Sequence, residues 1–419
     1  EGGVHDATLW VTNGAGDNAT FTLRLTAMVR THHYVDEHSA NPIAPYLTPE
    51  TAATDIQAAI NAATVGGYVH VLPGTYSPFV LNKYLFVIGE TGNWDDVIVD
   101  GDTASRCIDI TDKLGYVASL TATRGAAGTG AKGVNIRIVD GGTVTNVHST
   151  LGNRKGGYAS ENIYGGGIYN KNGTVVDCLI DGCYAYNHSA GIGYAQEGAA
   201  ALGERLVITN NTANLTYSWG SSTGGGGVWM NGGILRDSII AFNNIGAWTQ
   251  NSAGNIGATG ARVIGGRLVN CTVYGNVAGN DVSTYYAGVV TESAGTVENC
   301  IIFGNGCSKN ATVANWDGVA ANFLHCATTP LVGLSADNVD ITTALWSFST
   351  TDGVLDASSP LVDAGVVAGT AADLGATDLF GGARIDNGAP DIGHEEFQTG
   401  ALAVPFASSA GYLSIGPLS

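Results

Sequence analysis

Charged residues are scarce in this sequence, at 13% of 419 positions, and proline occurs only 10 times. Disordered chains usually contain more charge and less than the 44% of hydrophobic residues found here. Acidic residues outnumber basic ones by 36 to 17, which gives a net charge of −19. Because nucleic acids and anionic membranes are bound by basic surfaces, we expect neither as a partner.

Long apolar runs are also missing, so the sequence contains no candidate for a membrane-spanning helix. The motifs of serine hydrolases, zinc proteases and P-loop proteins are absent. The 7 cysteines show no zinc-ligand spacing. The sequence opens at Glu1 without a methionine, which we interpret as a processed or trimmed piece of a longer secreted precursor. We therefore predict a secreted or cell-surface protein.

Glycine is abundant, with 61 residues, and β-branched residues are frequent, which favours an all-β protein with tight turns. A repeat runs through the body of the chain, and the strand-like segments align on one column of small or apolar residues. Such a period predicts a solenoid, and alternation along each strand turns this column inward. Its members are Val147, Cys178, Leu206, Ser238, Cys271, Cys300 and, more weakly, Cys326.

Two further predictions follow from that alignment. Five positions after the column stand Asn211, Asn243, Asn276 and Asn305, which we interpret as a structural ladder of amides between coils. The stacked cysteines are expected to be mostly free thiols, because parallel Cβ vectors disfavour a disulfide. Cys178 with Cys183, or Cys300 with Cys307, are the pairs that a turn would allow.

The ends of the chain differ from the body. Residues 1–32 read as two strands around a turn, and are similar to the last hairpin of an immunoglobulin-like module. Residues 47–63, LTPETAATDIQAAINAA, form an amphipathic helix pattern, which is expected to cap the solenoid. The last segment, 398–419, is a tail outside the repeat.

The motifs GGGIYNKNGTVVDCLIDG and GxxVxVxPGTY, with the C-terminal stretches SSPLVDAG and TDLFGGARIDNGAPDIGHEEF, resemble choice-of-anchor Q and pectate-lyase-like surface proteins. The resemblance covers residues 33–397 and implies a right-handed parallel β-helix. In the predicted fold this β-helix has a short N-terminal capping helix and is preceded by a β-hairpin. That family is defined by architecture and surface attachment, so it implies no single reaction. We interpret the charged residues of the closing motif as structural, forming salt bridges that tie off the last coil: Asp363, Asp378, Arg384, Asp386, Asp391 and Glu395.

Candidate ligand-binding residues come from two places. Long insertions recur at one corner of the solenoid, and loops on one side of a rigid scaffold often bind ligands. They contribute Arg154, Lys155, His188, Tyr217, Trp219 and Trp248. Aligning VNIRI, IYNKN, IGYAQ, VWMNG, ARVIG and VVTES places further residues on the outer face of the following strands. The first outward column contains Tyr169, Trp229 and Arg262, and the second contains Arg137, Lys171, Asn231 and Glu292.

Aromatic rings stack on sugars, and arginine or lysine pairs with carboxylates. We therefore predict a groove for an acidic polysaccharide, with cleavage by β-elimination as an extension. In that reaction Lys171, Arg262 and His188 would serve as base or stabilise the anion. Hydrolysis is disfavoured because only Glu292 supplies a carboxylate on this face. We expect no cofactor, with calcium left open as an alternative.

A non-catalytic adhesin or structural, fibre-forming β-helix is the competing interpretation. The outward column beside the cysteines is apolar, at Leu179, Val207, Ile239 and Ile301. An apolar outer sheet is typical of a surface that meets another chain or a covering loop. The interpretation as an adhesin therefore includes self-association as a partner prediction.

Overall fold

The chain forms an all-β parallel solenoid with few helices. The computed structural model describes residues 3–12, 18–27, 30–127, 132–154, 163–186, 189–190, 193–214, 225–245, 257–278, 286–307, 314–331, 333–341, 355, 357–367 and 371–398. The predicted parallel β-helix and the hairpin before it are confirmed. The hairpin consists of β1 (Gly3–Thr12) and β2 (Asn18–Ala27), which pair antiparallel.

Each coil contributes strands to three parallel faces, which we call A, B and C. Strands are numbered in chain order, and several are long enough to bend from one face to the next. Face A consists of β6 (Phe79–Leu81), β9 (Ile108–Ile110), β11 (Ile136–Ile138), β15 (Ile168–Lys171), β19 (Tyr194–Glu197), the first parts of β22 (Val228–Arg236), β25 (Gly257–Val269) and β28 (Tyr286–Glu298), and β31 (Ala314–Gly318).

Face B begins with the strands nearest the hairpin. It consists of β3 (His32–Val35), β4 (Tyr68–Val71), β7 (Phe86–Gly89), the first parts of β10 (Tyr116–Thr123), β12 (Thr143–Thr150), β16 (Thr174–Asp181) and β20 (Leu202–Thr209), the second parts of β22, β25 and β28, and β32 (Phe323–Leu324).

Face C closes each coil. It consists of β5 (Gly74–Tyr76), β8 (Val97–Asp100), the second parts of β10, β12, β16 and β20, β23 (Ile239–Ala241), β26 (Thr272–Tyr274), β29 (Ile301–Phe303), β33 (Ala327–Thr328) and β34 (Val339–Asp340). Two small sheets flank these faces. They are formed by β13 (Asn153–Arg154), β17 (Tyr184–Tyr186), β21 (Thr212–Asn214), β24 (Asn244–Ile245), β27 (Val277–Ala278) and β30 (Gly306–Cys307), and by β14 (Ile163–Tyr164) with β18 (Ser189–Ala190).

A column of left-handed residues makes the corner between faces B and C. Its eight members have φ between 48° and 57°, so one residue turns the chain from one strand into the next. Five of the eight are Asn or Asp, the residues whose short polar side chains tolerate this conformation best. The corner column consists of Ser119, Asn146, Asp177, Arg205, Asp237, Asn270, Asn299 and His325.

The core is built as the repeat predicts. The cysteine column is buried, and Cys178 pairs in register with Leu206. The Asn ladder is also confirmed: its four members are fully buried and each accepts or donates bonds between coils. Asn315 extends the ladder by one coil, where it accepts the backbone N–H of Asn305 at 3.0 Å.

The capping helix α1 (Ile56–Ala62) lies within the predicted range and buries Ile56, Ala59 and Ile60. Its first turn is stabilised by Asp55, whose side chain accepts the N–H of Ala58 at 2.8 Å. The other helical elements are short 3-10 turns, at Pro49–Thr51, Trp94–Asp96, Ala320–Asn322 and Ala371–Leu374. No helix among the described residues is long and apolar enough to cross a membrane.

The six cysteines whose side chains are described carry free thiols: Cys107, Cys178, Cys183, Cys271, Cys300 and Cys326. The prediction of mostly free thiols is thus confirmed for them, and a Cys178–Cys183 bridge is not formed. Burial raises the pKa of the Cys178 and Cys183 thiols to about 12. These groups are therefore structural rather than reactive.

The C-terminal segment, residues 357–367 and 371–398, packs on the outside of face C. Leu379 covers Ile239 and Ala241, and Leu361 with Ile392 packs on Ile301. Two members of the predicted apolar outer column are thus covered by the chain itself. Leu179 and Val207 are only partly covered, and self-association through them stays a prediction.

The closing motif has a structural role, as predicted, but its acidic residues mainly accept backbone N–H groups instead of forming the predicted salt bridges. Asp378 accepts the backbone N–H of Phe380 at 2.9 Å and of Gly382 at 2.8 Å. Asp391 accepts those of Asp363 and Phe397. An ion pair joins Arg384 of the motif to Asp237 of the corner column, at 3.5 Å. Carboxylates that accept backbone N–H groups, rather than many salt bridges, therefore hold the segment in its fold.

Glu396 is expected to make stability fall as pH rises. Its carboxylate accepts the N–H of Asp386 and of Asp391, and burial raises its pKa from 4.5 to about 7. Between these values the folded state keeps a proton that the unfolded state has lost. The free energy of unfolding therefore falls as pH rises through this window, by at most about 3 kcal/mol.

The measurement is the melting temperature of the wild type and of Glu396→Gln at about pH 5 and about pH 8. Groups distant from Glu396 contribute equally to both proteins, so the difference between the two pH slopes reports Glu396 together with its neighbour Asp391. Parallel slopes would show that Glu396 does not titrate in this window.

Candidate functional site

The outer side of face A carries the residues predicted to bind a ligand, but in a partly different register. The predicted alignment is right for IYNKN and VWMNG and for the first three residues of ARVIG and VVTES, and it is two residues off for VNIRI and IGYAQ. A shift of two residues keeps every side chain on its predicted face, so alternation alone could not detect it. The first outward column consists of Asp109, Arg137, Tyr169, Ala195, Trp229, Arg262, Val290 and Asp317.

Arg137 therefore stands beside Tyr169 and not, as predicted, beside Lys171. Its Nε donates to Asp109 Oδ1 at 2.7 Å, and this hydrogen bond raises the pKa of Arg137 above its usual value. Arg106 contacts the same carboxylate at 3.4 Å. Burial, and then the positive charge of Arg137, lower the pKa of Arg106. Two guanidinium groups thus share one carboxylate.

The two aromatic residues of the column are buried. Tyr169 is 2% exposed and Trp229 is 7% exposed, and they pack with Ala195 and Ile264 into a small outer cluster. The predicted stacking on a sugar needs exposed ring faces, whereas these faces are covered in the structure. The cluster instead makes a rigid apolar base beside the charged groups.

A second charged group, absent from the sequence prediction, surrounds the hydroxyl of Tyr169. Lys132 Nζ donates to Glu197 Oε2 at 2.6 Å and to the Tyr169 hydroxyl at 3.1 Å. The Tyr169 hydroxyl donates to the same carboxylate oxygen, and Lys171 is the strand neighbour of Glu197. Burial alone would raise the pKa of Glu197, but hydrogen bonds from Lys132 and Tyr169 and the charges of both lysines outweigh it and lower that pKa.

The remaining predicted residues of face A lie farther along the solenoid. Arg262 donates from Nε to Glu292 Oε1 at 2.9 Å, so the two residues predicted to act on a ligand contact one another. Asn231 is exposed and pairs with Gly265 across a bulge that leaves Ile264 as an extra residue. Because of that bulge, Asn231 and Glu292 do not continue one regular column.

Five predicted residues, Lys155, His188, Tyr217, Trp219 and Trp248, lie outside the described parts of the chain. Arg154 belongs to β13, and its side chain is likewise outside the description. Their roles stay predictions. The residues that sequence reasoning missed are Arg106, Asp109, Lys132 and Glu197; in the correct register, opposite charges on adjacent strands, such as Lys171 beside Glu197, would have indicated two of them.

The first part of face A is locally positive. Four cations, Arg106, Lys132, Arg137 and Lys171, accompany two carboxylates, Asp109 and Glu197, along β9, β11, β15, β19 and the residues that lead into them. This local excess occurs in a chain of net charge −19. Side chains of this set are partly exposed, including Lys132 at 39% and Arg137 at 34%, so an anion can reach them.

One set of three acidic residues, Asp363, Asp391 and Glu396, has carboxylate oxygens within 4.8 Å of one another. It lies in the C-terminal segment rather than on face A. Within the described residues, no other set of three His, Cys, Asp or Glu side chains converges in this way. Since Asp391 and Glu396 accept backbone N–H groups, these carboxylates already have structural partners, and calcium binding stays untested.

Comparison with known proteins assigns the chain to no family. No family model and no curated protein matches the chain, so the likeness to choice-of-anchor Q proteins stays a prediction. Among solved structures, a pectin methylesterase from Aspergillus niger in deglycosylated form is similar over 70% of this chain and 93% of its own. The identity is 13% and the TM-score is 0.25, too low to support an argument about function.

Proposed function

We propose that this protein is an extracellular β-helix that binds an acidic polysaccharide along the first part of face A. The observation that carries the proposal is the excess of four cations over two carboxylates there. Arginine and lysine form strong charge-assisted bonds with carboxylates. A parallel sheet repeats such groups at intervals of about 4.8 Å, which suits a ligand that is itself an extended chain of repeated anions.

Cleavage by β-elimination is the extension of this proposal. The reaction removes the proton of the carbon that bears the carboxylate, and nearby cations stabilise the resulting anion. A double bond then forms to the neighbouring carbon, which expels its glycosidic oxygen as the leaving group. Lys132 contacts Glu197, and Lys171 lies opposite Glu197 on the adjacent strand. One lysine, as the ammonium ion, would bind the sugar carboxylate, while the other, in its neutral form, would accept the proton. Arg262 is less suited than predicted, because Glu292 already neutralises it.

A non-catalytic adhesin or structural protein is the second candidate. It is favoured by the ion pairs that join Arg137 to Asp109, Lys132 to Glu197 and Arg262 to Glu292, and by the burial of Tyr169 and Trp229. A face whose charges are paired is also what a stable outer surface requires.

One experiment separates the candidates. The protein is incubated with polygalacturonate, alginate and dextran while absorbance of unsaturated uronates and reducing ends are followed, and binding is measured by calorimetry. A rise in both signals with the uronate polymers supports elimination. Binding without either signal supports recognition alone, and no binding to any polymer favours the structural candidate.

Replacing Lys132 by alanine is expected to weaken uronate-polymer binding by about ten- to a hundredfold, because a charge-assisted bond contributes about 1.5–3 kcal/mol. The matched control is Lys113→Ala, which removes the same charge from an exposed position outside the face A strands and should leave the affinity within about twofold. Calorimetric titration measures both, with melting curves to verify folding. Equal affinities of Lys132→Ala and wild type would remove Lys132 from the binding face.

A further inference from the structure

Glu197 occupies the position that a ligand carboxylate would need. Its Oε2 receives Lys132 Nζ at 2.6 Å together with the hydroxyl of Tyr169, and Lys171 is its neighbour on the adjacent strand. One ammonium group and a hydroxyl thus bond to one carboxylate oxygen, and the nearby charge of Lys171 helps to lower the pKa of that carboxyl group. This is the set of partners by which proteins recognise a carboxylate of any origin.

We propose that Glu197 is an internal mimic of the ligand, whose carboxylate fills a uronate subsite until a sugar carboxylate displaces it. The inference rests on the proposed function and names the ligand as a polyuronate. Lys132 and Tyr169 bond to a carboxylate oxygen of Glu197, and a sugar carboxylate is the ligand group of the same chemical type.

The side chains allow such an exchange. Glu197 is 29% exposed and Lys132 is 39% exposed, so both lie at the surface, whereas Tyr169 is held in the buried outer cluster with Ala195 and Trp229. The fixed hydroxyl and the two lysines form the subsite, and Glu197 is the member that moves. No covalent bond changes in the exchange: the hydrogen bonds from Lys132 and Tyr169 to Glu197 are replaced by equivalent bonds to the sugar carboxylate.

Replacing Glu197 is therefore expected to strengthen ligand binding rather than weaken it. Removing a negative charge at contact distance from the bound anion relieves both competition and repulsion, so Glu197→Gln should bind polygalacturonate more tightly than the wild type, by roughly tenfold or more. Glu197→Asp, whose shorter side chain reaches Lys132 less well, should show a smaller gain. Either variant alone tests the idea if the other does not fold.

The experiment is calorimetric titration of the wild type, Glu197→Gln, Glu197→Asp and the control Asp95→Asn with polygalacturonate, dextran sulfate and dextran. Asp95 is exposed and lies in a 3-10 turn that leads into face C, so its variant reports the effect of net charge alone. Melting curves accompany each variant.

The expected result is a gain for Glu197→Gln with polygalacturonate that exceeds its gain with dextran sulfate, while Asp95→Asn changes either affinity by less than about twofold. Equal gains with both polymers would overturn the assignment to uronates. If the wild type binds the polymer and Glu197→Gln binds it equally well or more weakly, Glu197 is a positioning residue and the inference is overturned. The proposed function would remain intact in that case. No binding by the wild type or by either variant would instead remove the proposed function itself.

Discussion

Replacing Arg384 by methionine is expected to destabilise the protein by about 3–5 kcal/mol, the range found when one partner of a buried ion pair is removed. Arg384 is 1% exposed, and its Nη2 donates to the backbone oxygens of Asp391 at 2.7 Å and Gly393 at 2.9 Å. Its Nε lies 3.5 Å from the fully buried Asp237. The variant removes the donor of two buried carbonyl oxygens and the cation beside Asp237 Oδ1, while Asn270 and Arg236 stay next to that carboxyl group.

We expect the Arg384→Met variant to release the C-terminal segment from face C before the rest of the solenoid unfolds. Urea unfolding gives the global loss, and limited proteolysis detects earlier release of residues 357–398. The matched control is Arg124→Met, because Arg124 is 46% exposed in its ion pair with Asp100 and exposed pairs contribute about 1 kcal/mol or less.

A double-mutant cycle with Asp237→Asn adds a sharper test. The double variant removes both members of the Arg384–Asp237 pair, so its loss should be smaller than the sum of the two single losses. Additive losses, or an Arg384→Met variant as stable as the Arg124→Met control, would contradict the buried ion pair.

Replacing Asn243 by alanine is expected to destabilise the solenoid by about 3–5 kcal/mol. Its Oδ1 accepts the backbone N–H of Asn211 at 3.1 Å and the side-chain amide of Asn211 at 2.9 Å. Its Nδ2 donates to Ile208 O at 3.0 Å and to Asn276 Oδ1 at 2.9 Å. All of these bonds lie in the interior, where water cannot replace the lost amide.

The control is Cys178→Ala, which also shortens a buried side chain of the same interior but removes only weak thiol bonds to backbone oxygens. Its loss should stay near the cost of a small cavity, about 1 kcal/mol. Thermal and urea unfolding of the two variants measure the difference. A loss for Asn243→Ala no greater than that of Cys178→Ala would mean that the ladder fills space without contributing through its hydrogen bonds.

The interior was predictable because it repeats. Each coil must place a residue of suitable size above the one before, so the column from Val147 to Cys300 and the ladder from Asn211 to Asn305 recur at a readable spacing. The capping helix was predictable for a local reason: its apolar period and its N-capping Asp55 lie within a few residues of one another.

The outer face was harder to predict because its constraints are not local. A two-residue slip keeps the inside and outside of a strand unchanged, so Arg137 was placed beside the wrong neighbour. Side chains predicted to face a ligand instead meet partners from other coils, as Arg262 meets Glu292. Lys132 was overlooked because it precedes its strand, and only the folded coil brings it to Glu197.

The C-terminal segment also affects how the molecule responds to force. Coils of a solenoid contact only their nearest neighbours, so tension can peel them away one at a time from an end. Here one length of chain is bonded to Asn299 through Val366, to Asn270 through Leu374, to Arg205 through Thr377 and to Asp237 through Arg384. These anchors lie on four successive coils. The segment therefore links these four coils to one another, and we expect them to unfold under force as one unit rather than one at a time.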